Sequence, residues 1–154
     1  MADAARGPLH REEKHPEIDL ELLSTNALTD LNRDDVDVAI RFGYGKYAGL
    51  HTEELLDEVC FPACAPNFRG GELPRELANV PLLRSDEELW RPWFDAAGLT
   101  DFVEPKRGVH EDSPNLLQAA IDGQGIVLVR RSLAMQEILA GRLVRFFNVD
   151  GPSP

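Results

Sequence analysis

Ser113-Pro114-Asn115-Leu116-Leu117-Gln118-Ala119-Ala120-Ile121-Asp122-Gly123-Gln124-Gly125-Ile126-Val127-Leu128-Val129 is the stretch from which the fold is read. Ser113 reads as an N-cap, and Pro114 takes the first helical position, where its missing N–H costs nothing. Gly123 ends that helix, and Gly125 to Val129 follows as a short buried strand. A second helix from about Ser132 to Ala140 stops at Gly141, and Arg142 to Phe147 reads as a closing strand. Helices alternating with short apolar strands imply an α/β fold with at least partly parallel pairing.

Working toward the N-terminus, Pro81 to Arg84 is a brief strand. Ser85 then caps a helix from about Asp86 to Ala97, stopped by Gly98. Leu89, Trp90, Trp93 and Phe94 fall at helical spacing, which reads as a core-facing stripe in preference to an aromatic ligand wall. Pro74 opens a short helix to Asn79, after Pro66 and Gly70-Gly71 have ended the apolar run Val59 to Ala65. That run, and Leu55-Leu56 before it, read as strands. Further upstream, Glu17 to Leu22 alternates with period two, a short helical segment spans about Asn26 to Asn32, and Val36 to Ile40 is another strand.

With 154 residues and 43% hydrophobic content, the chain makes one globular domain or two small lobes. The apolar content argues against disorder, and no long uncharged apolar run suggests a membrane span. A net charge of −11 excludes nucleic-acid binding by bulk charge. The acid is uneven: Met1 to Cys60 holds 6 basic and 14 acidic residues, Phe61 to Phe147 holds 10 and 12. The start lacks the apolar core of a secretion signal, so a reducing cytoplasm is expected.

Cys60 and Cys64 lie four apart in one strand, on the same face but too far apart for a disulfide, and read as buried thiols. No metal site is expected, because His10, His15, His51 and His110 are scattered. No cofactor or catalytic residue is expected either. Gly-x-Ser-x-Gly, phosphate-loop and His-Glu-x-x-His patterns are missing, and carboxylate clusters such as Asp34-Asp35 and Asp86-Glu87-Glu88 sit in solvated turns and helix starts.

Four ordered stretches carry a resemblance: His15 to Leu20, Asp37 to Gly45, Trp90 to Gly98, and Gln118 to Leu128. Together they resemble the effector-binding (substrate-binding) domain of LysR-type transcriptional regulators over about Arg11 to Phe147. The similar branch contains the glycine-cleavage activator and the β-lactamase regulator. The resemblance implies a two-lobed, periplasmic-binding-protein-like (type II) α/β fold with a small effector held between lobes. Residues 1–10 would be a disordered extension outside the family, 11–60 a partial lobe I, 61–144 lobe II, and 145–154 the hinge return and C-terminus. Cys60, Pro62 and Cys64 would lie in the first hinge crossing.

Against the family's pattern, the N-terminal winged helix-turn-helix, its linker helix, the first strand of lobe I and most of its first helix are missing from this sequence. The strands at Glu17 to Leu22 and Val36 to Ile40 would then flank a vacancy, with unpaired backbone at both edges. Lobe I is expected to be less stable than lobe II.

Three places read as candidate effector sites. Thr25 and Asn26 follow the first strand and offer a hydroxyl and an amide to a small carboxylate, although Asn26 serves equally as a helix cap. Arg41 and Gly43, with Tyr44 and Gly45, offer a cation and close backbone approach to an anion. The bland alternative is an ion pair and a plain loop. Asp112 and Ser113 sit at a helix start, where backbone donors and the dipole favour an anion, yet Asp112 is itself a carboxylate and Ser113 needs only to cap. Arg107 and Arg130-Arg131 read as surface charges.

The function expected is effector sensing and oligomerisation in a LysR-family regulator. The effector would be an amino acid or small organic anion, and a homodimer or mixed oligomer is expected. DNA would be reached only through a helix-turn-helix that this sequence lacks, with no membrane contact. Alternatives are a solute-binding module of the same fold, which would need export, or a fragment that only dimerises.

Overall fold

The structure is a computed structural model that describes residues 15–25, 27, 29–31, 35–43, 45–69, 74–85, 89–103, 108–110 and 113–153. The expected N-terminal extension, Asn26, Tyr44, Arg107 and Asp112 lie outside the described residues. Backbone contacts divide the chain into Met1–Ile40 and Arg41–Pro154.

In the first unit, the described residues at 17–22 and 36–40 are not strands, contrary to the alternation in their sequence, and those between 27 and 31 are not helical. Ile18, Leu22, Val38 and Ile40 are exposed. A strand exists through its ladder, and neither segment has one. Leu55-Leu56 is likewise irregular and exposed.

The second unit is built on a six-stranded mixed sheet: β1 (Val59–Cys64), β2 (Leu82–Arg84), β3 (Gly108–His110), β4 (Ile126–Arg130), β5 (Val144–Arg145) and β6 (Gly151–Pro152). The order is β3-β2-β4-β1-β5, with β6 also on β1. The β2 strand runs parallel to β3 and β4, whereas β1 is antiparallel to β4, β5 and β6. Sequence reasoning missed β3 and β6, which are too short for periodicity to register, and the closing strand shrinks to Val144–Arg145.

Pro62 stands inside β1, a position that proline normally vacates. Its carbonyl accepts the Phe146 N–H at 2.9 Å, so its nitrogen points to the same side. There it falls between the residues paired with β5 and those paired with β6, and no ladder bond is lost.

The period of two along the strands sorts the core into two faces. Cys60, Cys64, Leu82, Ile126 and Leu128 face one side with Leu77, Trp90, Trp93 and Phe94. Phe61, Ala63, Leu83, Val127 and Val129 face the other with Leu116, Ala120 and Ala134. The first face is covered by α1 (Trp90–Ala96), the second by α2 (Ser113–Ile121) and α3 (Arg131–Leu139). Gly123 and Gly141, at φ +77° and +71°, end α2 and α3 as glycine allows. The one-turn-and-more at Pro74–Asn79 is a 3₁₀ helix that buries Leu77.

The expected aromatic stripe is core at Trp90, Trp93 and Phe94, but Leu89 is exposed. The helix there begins at Trp90 with Leu89 in extended conformation, and Ser85 does not cap it. Pro92 explains the shift. In a helix from Asp86 it would be an interior residue that breaks a backbone bond, whereas in one from Trp90 it lies in the first turn. The Trp90 indole N–H donates to the Leu83 carbonyl at 3.1 Å and ties that first turn to β2. Arg91 donates to the carbonyls of Leu99 and Phe102, each at 2.7 Å, and ties the turns that follow the helix back to it.

Candidate functional site

In open α/β sheets, ligands meet the carboxyl ends of parallel strands, where the following helices begin. Here β2, β3 and β4 end at Arg84, His110 and Arg130. On the same edge α2 starts at Ser113 and α3 at Arg131, and the entrance of β1 pairs Cys60 with Arg130. The edge therefore collects two arginines, a histidine position and the N-termini of α2 and α3, and the partial positive charge at the start of α2 adds to the cations.

The loop before β1 comes to this edge. The Arg130 guanidinium lies over the Phe42 ring, 4.2 Å from its centroid, so Arg130 is half-buried and more than a surface charge. Arg41 and Gly43 flank Phe42 and are thereby brought near α3. Arg41 is exposed. Gly43 has φ +147°, a backbone conformation that favours glycine, and a Cβ there would lie 3.3 Å from the Tyr47 hydroxyl.

Glu58 is the residue that sequence reasoning missed. Its carboxylate accepts the Ser132 N–H, at 3.2 Å for the nearer oxygen, at the start of α3, and also the Val59 N–H at 3.2 Å. Arg131 donates to the Asp57 carbonyl. A carboxylate thus caps α3 from 74 residues away in sequence, a relation that no local motif announces. The signal for the cations was available: Leu-Leu-Arg and Val-Leu-Val-Arg both close an apolar strand with arginine.

Thr25 belongs to the Met1–Ile40 unit, where its hydroxyl accepts the Ala27 N–H at 3.1 Å in a local turn. Ser113 is the first residue of α2. Cys60, Pro62 and Cys64 are buried within β1, neither cysteine is in a disulfide, and the Cys60 sulfur lies 3.3 Å from the Ser153 hydroxyl. Burial pushes the Cys64 thiol up to about 11, since the thiolate would be desolvated. Among the described residues no cluster of His, Cys, Asp or Glu is placed to hold a metal ion, and no helix is long and apolar enough to cross a membrane.

This geometry has known counterparts. The family model described as LysR substrate binding domain matches residues 11–150. The chain belongs to the LysR substrate-binding domain family. It is 37% identical over 139 residues to the glycine cleavage system transcriptional activator of Escherichia coli (strain K12), an alignment covering 87% of this chain and 46% of that protein. To the HTH-type transcriptional activator AmpR of Rhodobacter capsulatus it is 36% identical over 138 residues, covering 88% and 47%. The chain spans about half the length of these LysR-type relatives, which are transcriptional regulators.

Among solved structures, the effector domain of AmpR of Pseudomonas aeruginosa superposes with a TM-score of 0.77 at 28% identity, covering 94% of this chain and 72% of that one. CrgA of Neisseria meningitidis, a LysR-type regulator, shares the fold at a TM-score of 0.72 and 23% identity, over 94% and 53%. The mixed sheet is accordingly that of LysR effector-binding domains of the periplasmic-binding-protein-like type, of which this chain is a part.

Proposed function

We propose that this chain is the effector-sensing part of a LysR-type transcriptional regulator and that its effector is a small organic anion or an amino acid. The observation that carries the reading is the strand edge ending in Arg84, His110 and Arg130, with α2 starting beside it. An anion held there exchanges water for charge-assisted donors in a fixed frame. Arg41 and Gly43 on the adjoining loop and Ser113, with Asp112 before it in sequence, are proposed to contact the effector, and Thr25 and Asn26 of the other unit are proposed as a further effector-binding pair. Asp112 favours an effector that also carries an amine. The first crossing between lobes is proposed to lie at β1, which carries Cys60, Pro62 and Cys64. DNA contact is assigned to a helix-turn-helix, in keeping with the relative named an HTH-type activator, and not to this acidic chain. Assembly as a homodimer or a mixed oligomer is proposed.

Calorimetric titration of the 154-residue chain with small carboxylates and amino acids tests the reading. Binding by at least one class is expected, weakened about tenfold in Arg84→Ala and Arg130→Ala. No binding by either class, or specific promoter binding by this chain alone in a gel shift, would overturn it.

A further inference from the structure

The start of α3 holds both ends of the loop that precedes β1. Arg130 stacks on Phe42 at the near end, while Arg131 and Ser132 hold Asp57 and Glu58 at the far end. Inside the loop, Thr52 donates to the Gly45 carbonyl at 2.9 Å and the Leu50 N–H to the Tyr47 carbonyl at 3.3 Å. From Val59 onward the chain is laddered on both sides, to β4 and to β6 and β5. Between these two firm regions stand Glu53 to Leu56, all exposed and irregular.

We propose that Arg130, Arg131 and Ser132 form a clasp, closed by Glu58, that makes the loop 42–58 ride on α3, and that opening the clasp moves the swing point of the crossing to the Glu58-Val59 junction. Bending then falls at the mouth of β1 and not within Cys60 to Cys64, whose backbone is committed to the sheet. Glu58 is a positioning residue: its carboxylate satisfies the α3 N-terminus, and no neutral side chain replaces both the acceptor and the charge that faces the dipole. The proposal rests on the sensor reading above only for there being a bend to place, and its test uses no ligand, so the two fail separately.

Hydrogen exchange of the full chain, read on fragments covering 41–58, 59–64 and 131–139, compares the wild type with Glu58→Ala. Exchange is expected to rise about tenfold at Val59 and at the first amides of α3, whose N–H groups the Glu58 carboxylate accepts, the factor that loss of one helix cap supplies, with Phe61 to Ala63 unchanged. Glu58→Gln keeps an acceptor oxygen and the side-chain shape, and is expected to raise exchange at the same places by a smaller factor. Unchanged exchange at Val59 and Ser132 in both variants, or an equal rise throughout β1, would overturn the proposal.

Discussion

The indole of Trp93 occupies the space that a side chain at Gly151 would need. A Cβ built on Gly151 lies 2.9 Å from Trp93 Cδ1 and 3.1 Å from its Cα and Cβ. The neighbouring backbone cannot retreat, because Gly151 pairs with Cys60 and the Trp93 indole N–H donates to the Val149 carbonyl at 3.0 Å. Gly151→Ala is therefore expected to destabilise the protein by about 1–3 kcal/mol, the usual cost of overpacking. Urea unfolding followed by tryptophan fluorescence checks this, and an unchanged midpoint would refute it.

Leu82 is fully buried between β3 and β4, whereas Val38 is 75% exposed. Truncating Leu82 to alanine removes apolar contact and leaves a cavity, with an expected loss of about 2–4 kcal/mol. Val38→Ala is expected to stay within about 0.5 kcal/mol. Equal losses in chemical denaturation would show that the segment at Val38 packs as tightly as the sheet.

The Cys64 thiol, raised to about 11 by burial, favours the neutral form in the folded chain. The folded state then holds a proton that the unfolded chain releases near its ordinary value of 9.0, so the contribution is fully present below pH 9 and fades between pH 9 and 11. A loss of up to roughly 2 kcal/mol across that window is expected from this group, less in Cys64→Ser. At pH 8 a thiol reagent is expected to modify Cys64 slowly in the native protein and at once in urea. Rapid native modification would contradict the burial.

Residues 36–40 have no ladder, while Cys60 to Ala63 pair with β4. Amides of the first group are expected to exchange within seconds to minutes, and those of the second only through global opening. Comparable protection at Val38 and Phe61 would mean that the upstream segment pairs in solution.

Much of the sheet unit was legible because its signals are local. Gly123 and Gly141 mark helix ends through their backbone freedom, and the apolar runs at Val59 to Ala65 and Ile126 to Val129 mark strands buried on both faces. The same logic failed at Glu17 to Leu22, where alternation names a face but supplies no neighbour to pair with. It also failed at Ser85, where the capping signal was strong and Pro92 overruled it.

The sequence alone determined the α/β class, the helix stops and the family resemblance, since each depends on residues close together in the chain. Only the tertiary structure decided that Arg84, His110 and Arg130 share one edge, that Phe42 lies under Arg130, and that Glu58 caps a helix 74 residues downstream. Those relations depend on strand order and register, which are set by packing across the sheet, and no spacing along the chain encodes them.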